Sequence, residues 1–211
     1  MRVRIENALH AAWRKKGLFS LAMWPLSRLY GLIVEQRRSG YQQHPERVHH
    51  DSVPVVVVGN LYVGGTGKTP VVIALVQALQ SRGWQPGVIS RGYGAKQGEK
   101  PRAGRGNLDP ALFGDEPALI AAETQVPVCV HPDRRAAVRR LRRQYPQVDV
   151  VVCDDGLQHL ALGRDLEIVV QDARGIGNGR LIPAGPLREP ATRLESVDIV
   201  ISNLQPGESP P

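Results

Sequence analysis

The amino-acid sequence predicts an α/β protein with three layers, in which a mostly parallel sheet lies between helices on both faces. Short Val-rich segments that are typical of strands alternate with longer segments that are typical of helices, and this alternation favours parallel sheets. Aromatic residues make up only 5% of the 211 residues and hydrophobic residues 42%. That composition suits a buried Val- and Leu-rich core better than a β-sandwich.

Residues 1–50 are predicted to form a helical segment that precedes this fold and contacts a membrane. Residues 18–34 are mostly apolar, and Trp13, Trp24 and Tyr30 supply rings that favour an interface. Pro25 and Arg28 argue against a single spanning helix. We expect one or two amphipathic helices at a membrane surface, with basic residues on both flanks. The alternative is a helix that packs its apolar face on the protein's own core.

The first predicted strand, residues 53–58, runs into a glycine-rich loop that ends in Lys68 and Thr69. Backbone N–H groups of such a loop, followed by a helix N-terminus, bind phosphate oxygens. Tyr62 stands where the strict P-loop pattern has glycine, and Val63 where a related subclass has lysine. The alternative is a turn that only links a strand to a helix. The predicted nucleotide-binding residues are Tyr62, Val63, Gly64, Gly65, Thr66, Gly67, Lys68 and Thr69.

A second apolar strand, residues 148–153, ends in Asp154 and Asp155. An acidic residue at the tip of such a strand can hold the Mg²⁺ shell together with Thr69. Taken alone, Asp-Asp-Gly is only a turn signal. Together with the glycine-rich loop, it predicts a metal site, and either aspartate can be the ligand.

The remaining elements complete the alternation. The sequence predicts further strands over residues 87–90, 126–130, 166–171 and 197–202, and helices over 68–82, 115–123 and 133–145. Residues 95–110 have no apolar period and are predicted to be mobile. The turns that follow the parallel strands should share one edge of the sheet, where ligands bind.

Two features of the helices leave alternatives open. Asp115 falls in the first turn of its helix, where a carboxylate can simply cap the backbone. The helix over residues 133–145 carries six arginines. Such a run is usually a solvated face, although it could also meet anionic lipid head groups.

The formal net charge is +7 and the sequence pI is near 9.8, which indicates an anionic partner such as a nucleotide or an anionic lipid. A nucleic acid is not expected, because basic and aromatic residues are not interleaved and no nucleic-acid motif is present. Cys129 and Cys153 lie in apolar segments and are predicted to be buried free thiols, with no metal-ligand spacing.

Five motifs together resemble the tetraacyldisaccharide 4′-kinase family, the lipid A 4′-kinases, over about residues 18–203. They are G-N-L-Y-V-G-G-T-G-K-T-P, S-R-G-Y-G, G-D-E-P, D-D-G-L-Q-H and G-N-G-R-L-I-P-A-G-P-L-R-E-P. The resemblance implies transfer of the γ-phosphate of ATP, with Mg²⁺, to the 4′-hydroxyl of a tetraacylated glucosamine disaccharide 1-phosphate. It also implies a peripheral or monotopic location on the cytoplasmic face of a bacterial inner membrane.

The same resemblance implies a role for each matching residue. Lys68 and Thr69 would bind phosphates and Mg²⁺, and Asp115 would help to deprotonate the acceptor hydroxyl. Further active-site positions match His159 and Arg188, while the acidic residues at the metal match Asp154, Asp155 and Glu189.

The family usually continues into a second α/β domain, so residues 51–211 are expected to correspond to the P-loop kinase N-terminal domain. On this expectation the chain stops before the second domain, keeps its phosphate loop and is a poor catalyst alone. The competing hypothesis is a membrane-docking P-loop ATPase switch that binds protein partners. Val63 argues against it, because that subclass relies on lysine at this position.

Overall fold

A seven-stranded sheet forms the framework of the protein in the computed structural model, which describes residues 11–13, 15–96 and 98–211. The strand order is β3-β4-β2-β5-β1-β6-β7. β1 pairs with β5, β5 with β2, and β2 with β4, all in parallel, whereas β3 runs antiparallel to β4. The predicted α/β fold with a mostly parallel sheet is therefore confirmed. The strands are β1 Val55–Gly59, β2 Pro86–Ser90, β3 Arg102–Arg105, β4 Pro127–Val130, β5 Val150–Asp154, β6 Leu166–Gln171 and β7 Ile199–Ser202.

Six α-helices and two 3-10 helices of at least three residues lie within the described residues. The 3-10 helices are Pro45–Arg47 and Ala191–Glu195. None of the described helices combines the length and the apolar character needed to cross a bilayer. The α-helices are α1 Leu18–Ala22, α2 Trp24–Gln43, α3 Lys68–Gln80, α4 Pro110–Phe113, α5 Asp115–Thr124 and α6 Arg134–Gln144.

Contacts divide the chain into two compact units, and each unit is assembled from separate stretches of sequence. The first unit comprises Met1–Pro45, Asn60–Thr66 and Val169–Pro211, and the second comprises Glu46–Gly59 and Gly67–Ile168. The predicted domain boundary near residue 50 stays a prediction.

The second unit has the layered core that the sequence predicts. Every residue of β1, β2, β4 and β5 is buried. The connection through α3 leads from β1 to β2, and the connection through α5 leads on to β4, toward one edge of the sheet. The connection through α6 then runs in the opposite direction across the sheet, from β4 to β5. Because parallel crossovers are right-handed, this reversal of direction places α6 on the face opposite α3 and α5. Accordingly, α3 contacts α5, and α6 packs on β2, β3 and β4.

The edge strand β3 corrects the expectation that residues 95–110 are mobile and irregular. β3 pairs with β4 in the register Arg102 to Val130 and Arg105 to Pro127. The Arg102 guanidinium also lies 5.9 Å from the centre of the Phe113 ring. An edge strand can be polar on both faces, because it obtains its backbone pairing from its neighbour and uses charge to block further pairing. The sequence of β3 therefore carries no apolar alternation.

In the first unit, α1 and α2 turn small polar side chains inward and large apolar side chains outward. Ser20 and Ser27 are buried, and their hydroxyl groups donate to the carbonyl oxygens of Ala184 (2.6 Å) and Leu181 (2.8 Å). The side chain of Leu18 is 87% exposed and that of Leu32 is 65% exposed. The apolar side chains of α1 and α2 are therefore not packed on the part of the core that the structure describes. The other exposed apolar side chains of these helices are Phe19, Leu21, Trp24, Leu26, Leu29 and Ile33.

Candidate functional site

Lys68 is the first residue of α3 and forms an ion pair with Asp155, with 3.4 Å between Nζ and Oδ1. The preceding residue, Gly67, has a φ of 75°, a left-handed conformation that glycine adopts without strain. The first turn of α3 contains no acidic side chain. The positive end of the helix and the Lys68 ammonium group are thus concentrated at one point, as an anion site requires.

Asp154 is the last residue of β5, and its side chain is buried with 1% exposure. Its Oδ2 accepts a hydrogen bond of 2.9 Å from the Ser90 hydroxyl, while Oδ1 is buried without a hydrogen-bond partner among the described residues. Burial raises the pKa of Asp154 to about 6, the Ser90 hydrogen bond opposes this shift, and the charge of Glu116 adds to it. A buried carboxylate oxygen without a donor is costly unless a cation compensates it.

The oxygen donors of this part of the second unit fit Mg²⁺. Asp154 and Asp155 offer carboxylates, and Thr69 offers a hydroxyl group one residue after Lys68. Mg²⁺ takes one or two carboxylates, keeps several waters and is completed by substrate phosphates. Across the described residues, no group of three or more His, Cys, Asp or Glu side chains forms a metal cluster. The donor set therefore suits a phosphate-bound Mg²⁺ better than a metal held by protein alone.

Arg134 corrects the interpretation of the arginine run as a uniformly solvated or lipid-facing surface. Its side chain is 3% exposed. Nη1 donates to the carbonyl oxygen of His131 (3.0 Å) and Nη2 to that of Asp155 (3.4 Å). Asp155 has a φ of 49°, a left-handed conformation that aspartate tolerates better than most residues. Arg134 thus supports the backbone of the residue that pairs with Lys68.

His159 lies near the N-terminus of α6, with Nε2 4.0 Å from Oδ1 of Asp133. Asp133 caps this helix by accepting a hydrogen bond of 2.9 Å from the backbone N–H of Arg135. Burial lowers the pKa of His159 to about 4, and the charge of Arg134 lowers it further, against the opposing charge of Asp133. The imidazole is therefore neutral near pH 7.

Asp115 begins α5 with an exposed carboxylate. The N-cap of α5 is Gly114, so the interpretation of Asp115 as the capping residue is not supported. Gly114 has a φ of 93°, and a Cβ atom there would lie 2.7 Å from the carbonyl oxygen of Tyr93. This close approach joins the G-D-E-P motif to the S-R-G-Y-G turn, and Glu116 is near enough to Asp154 to act on its pKa.

The phosphate loop from Tyr62 to Thr66 belongs to the first unit, where side chains of the same unit hold its backbone. Asn60 Nδ2 donates to the carbonyl oxygens of Tyr62 (2.7 Å) and Gly64 (3.0 Å). The Val63 N–H donates to the carbonyl oxygen of Pro186 (2.8 Å). Thr66 is buried, and its hydroxyl group has no hydrogen-bond partner among the described residues.

Arg188 and Glu189 of the R-E-P motif also lie in the first unit. The Arg188 N–H donates to the carbonyl oxygen of Leu61 (2.8 Å), and the Arg188 carbonyl oxygen accepts from the Tyr30 hydroxyl (2.9 Å). Glu189 forms a buried ion pair with Arg193, with 3.3 Å between Oε2 and Nε. The motif is thus fixed both to the start of the phosphate loop and to α2.

Of the predicted site residues, the structure brings Lys68 and Asp155 into direct contact and places Asp154 in the adjoining position. The supporting residues Arg134 and Arg193 were not predicted. Asn60 and Ser90 lie in the motifs G-N-L-Y-V-G-G-T-G-K-T-P and S-R-G-Y-G, although no role was predicted for either side chain. Arg134 gave no recognisable signal, because five other arginines lie in the same run.

Both predicted free thiols are buried. Burial raises the pKa of Cys129 to about 12 and also raises that of Cys153. Neither thiol therefore has the low pKa of a reactive cysteine.

A family model for tetraacyldisaccharide-1-P 4′-kinase (LpxK) matches residues 19–210. The tetraacyldisaccharide 4′-kinase of Bordetella petrii is 61% identical over 198 residues, covering 93% of this chain and 56% of the relative. That of Herminiimonas arsenicoxydans is 45% identical over 210 residues, covering 100% of this chain and 59% of the relative.

A crystal structure of LpxK from Aquifex aeolicus in complex with ATP is also similar, with a TM-score of 0.76 and 31% identity. The match covers 88% of this chain and 59% of that one. The chain therefore spans little more than half the length of these relatives. On the extent of the family match and the identity to these relatives, the chain belongs to the tetraacyldisaccharide-1-P 4′-kinase family.

Proposed function

We propose that this chain binds MgATP and transfers its γ-phosphate, weakly when alone, to the 4′-hydroxyl of a tetraacylated glucosamine disaccharide 1-phosphate, the kinase step EC 2.7.1.130 of lipid A biosynthesis. The observation that carries the proposal is the Lys68–Asp155 ion pair at the N-terminus of α3, with the buried Asp154 beside it. Phosphoryl transfer depends on positioning and charge neutralisation, and this group supplies both. Family membership supports the choice of acceptor.

Lys68 and the carboxylates have complementary roles in this proposal. Lys68 exchanges Asp155 for the phosphate oxygens when ATP binds, and the N-terminus of α3 adds its positive partial charge. Thr69, Asp154 and Asp155 hold Mg²⁺, whose charge neutralises phosphate oxygens when bound. Asp154 must be ionised for this task, which its partner Ser90 favours and its burial opposes. The metal role that the family resemblance implies for Glu189 stays a prediction, since its carboxylate lies in the first unit and pairs with Arg193.

Asp115 is the proposed proton acceptor for the 4′-hydroxyl group. Its carboxylate is exposed and is not used as a helix cap, so an acceptor hydroxyl can reach it. Because His159 is neutral near pH 7, it acts as a hydrogen-bonding group rather than as a cation. Arg188 supplies a further positive charge for the phosphates.

The exposed apolar faces of α1 and α2 support binding to the cytoplasmic face of the inner membrane, where a multiply acylated acceptor resides. Eight large apolar side chains of these helices are exposed, an arrangement that is stable when lipid replaces water. The exposed basic residues Lys15, Lys16 and Arg37 would add about 1 kcal/mol each on an anionic leaflet.

The test of transfer uses radiolabelled ATP and the disaccharide acceptor in mixed detergent micelles, with nucleotide binding measured separately by equilibrium dialysis. Lys68→Ala should abolish transfer. The matched control is Lys100→Ala, because Lys100 is an exposed lysine in the loop that precedes β3. Transfer by Lys68→Ala at the wild-type rate would remove Lys68 from the site. An ATPase rate that does not depend on the acceptor would instead favour the P-loop switch.

The membrane test uses flotation with vesicles that contain anionic phospholipid. Glutamate at both Leu29 and Leu32 should abolish flotation, because both side chains are exposed on α2. The matched control is Leu119→Glu, since Leu119 is similarly exposed but lies in the second unit. Equal flotation of the α2 variant and the control would contradict the proposed membrane face.

A further inference from the structure

Arg174, which follows β6, contacts the phosphate loop within the first unit. Its Nη2 donates to the carbonyl oxygen of Gly65. Its Nε lies 3.0 Å from Oδ1 and 2.9 Å from Oδ2 of Asp172. The centre of the guanidinium group lies 4.3 Å from the centre of the Tyr62 ring. A carboxylate at its edge and an aromatic ring at its face together fix both the position and the plane of this side chain.

The surroundings of Arg174 and Asp172 favour the charged forms of both side chains. The hydrogen bonds that Arg174 donates to Asp172 raise the pKa of Arg174, with partial burial opposing this shift. Partial burial would by itself raise the pKa of Asp172, but the hydrogen bonds from Arg174 lower it instead. Both shifts favour the ionised forms of the pair.

The Gly65 contact belongs to a wider pattern, in which side-chain donors hold the carbonyl oxygens of the phosphate loop. Asn60 holds those of Tyr62 and Gly64, and Asn203 Nδ2 lies 3.4 Å from that of Thr66. In a trans peptide group the C=O and the following N–H point in opposite directions. Fixing the Gly65 carbonyl therefore fixes the direction of the Thr66 N–H, and a phosphate loop works by aiming its N–H groups.

We propose that Arg174, held by Asp172 and by the ring of Tyr62, is a positioning residue that orients the peptide groups of the phosphate loop for nucleotide binding. The proposal also accounts for Tyr62, which stands where the strict P-loop pattern has glycine. The 3% exposed Tyr62 ring forms the surface on which the Arg174 guanidinium rests. This inference rests on the proposed function, because it requires the loop to bind nucleotide phosphates.

Two substitutions at Arg174 separate positioning from a direct charge contact with phosphate. Arg174→Lys keeps the positive charge but loses the planar group that contacts Gly65, Asp172 and Tyr62 together. If positioning is the role, Arg174→Lys and Arg174→Ala should weaken nucleotide binding by similar factors. A direct charge contact predicts instead that Arg174→Lys binds nearly as well as the wild type.

The experiment measures the Kd of the full chain for a fluorescent N-methylanthraniloyl ATP with Mg²⁺ by anisotropy. Both Arg174 variants should bind at least about tenfold more weakly, the value of one hydrogen bond from a charged donor. Tyr62→Leu removes the ring on which the guanidinium group rests and should lose about threefold or more. Arg143→Ala, an exposed arginine of α6, is the control and should leave the Kd unchanged.

A purely structural role would lower the thermal midpoint without raising the Kd of the folded fraction, so melting curves accompany each titration. If Arg174→Ala does not fold, Asp172→Asn decides, since it leaves Arg174 in place but removes its charge partner. An unchanged Kd for Arg174→Ala, or a wild-type Kd for Arg174→Lys, overturns the inference and leaves the proposed function standing. Failure of the wild-type chain to bind the nucleotide would overturn the proposed function itself.

Discussion

The helices of the two units bury different kinds of side chain. In the second unit the helix α6 contributes the fully buried Leu141 to an interior that also contains Val57, Val88 and Val151. In the first unit Ser20, Ser27 and the Glu189–Arg193 ion pair are buried, while the large apolar side chains of α1 and α2 are exposed. Both units contain amphipathic helices, but the apolar face points inward in α6 and outward in α2.

An amphipathic sequence pattern shows that a helix has an apolar face and a polar face. It does not show which of the two faces the interior of the protein. The hydrophobic effect places apolar side chains inside only when water surrounds the protein. Where lipid replaces water, packing and hydrogen bonds between small or polar residues hold the elements together. The inward serines of α1 and α2 are the arrangement that this second rule predicts for the proposed membrane face.

The largest expected effect on stability comes from breaking the buried ion pair of the first unit. Arg193→Leu removes the cation that pairs with the buried Glu189 and should reduce the free energy of unfolding by about 3 kcal/mol. Urea denaturation followed by circular dichroism measures the loss. The double variant Glu189→Leu with Arg193→Leu should recover most of it, and no recovery would contradict the assignment of the loss to an uncompensated charge.

A matched pair of leucines tests the contrast between α6 and α2. Leu141→Ala should reduce the free energy of unfolding by about 3 kcal/mol, because it leaves a cavity in a closed core. Leu32→Ala should change it by less than about 0.5 kcal/mol, because that side chain is already exposed. The same urea titrations compare both variants, and equal losses would mean that Leu32 is covered by protein.

Burial of the Asp154 carboxylate in the second unit makes the stability difference between wild type and Asp154→Asn depend on pH. The pKa of Asp154 is raised to about 6 from an ordinary 3.8, so the folded state holds its proton up to a higher pH than the unfolded state does. Above pH 6 the folded protein must keep an ionised carboxylate buried, and this charge destabilises it. Asp154→Asn should therefore be more stable than wild type at pH 8, by about 2 kcal/mol.

The higher stability of Asp154→Asn over wild type should shrink as the pH falls from 6 toward 4, where the side chain at position 154 is neutral in both proteins. His159 acts in the opposite sense, because its lowered pKa of about 4 makes the folded state lose stability on acidification. Since both proteins contain His159, the difference between their unfolding free energies isolates Asp154. A difference that is constant between pH 4 and 8 would rule out a raised pKa.

The smallest expected effect concerns a single buried hydroxyl group of α2. Ser27→Ala removes the donor to the Leu181 carbonyl oxygen and should cost about 1 kcal/mol of unfolding free energy. Leu29→Ala on the same helix serves as the control, because its exposed side chain contributes little to folding in water. A larger loss for Leu29→Ala than for Ser27→Ala would reverse the proposed orientation of the helix.

Sequence patterns predicted the central strands and the core of the site because both have strong local signals. β1 is Val-rich and leads toward the glycine-rich loop, and β5 is apolar up to Asp154, the first residue of the Asp-Asp pair. The Arg102–Arg105 strand was missed because its pairing comes from β4 rather than from its own side chains. The orientation of α2 was left open because the periodicity of a helix is the same in either environment.

Supporting contacts at the site were missed for a different reason. Arg134 and Arg174 act through backbone carbonyl groups that are distant in sequence, and no spacing rule relates a side chain to such a partner. In the sequence, Arg134 and Arg174 cannot be distinguished from ordinary surface arginines. Only the three-dimensional arrangement separates them from their neighbours.

The outward apolar face of α2 has a consequence for mutational drift. If α2 lies on a membrane as proposed, one large apolar residue should replace another freely at Leu26, Leu29 and Ile33, because lipid imposes no fixed shape on them. Ser20 and Ser27, which are small and bonded to fixed carbonyl groups, should tolerate almost no exchange. A randomised library of α1 and α2 selected for growth would then keep its small polar positions constant and let its large apolar positions vary, the reverse of the pattern in a water-soluble helix.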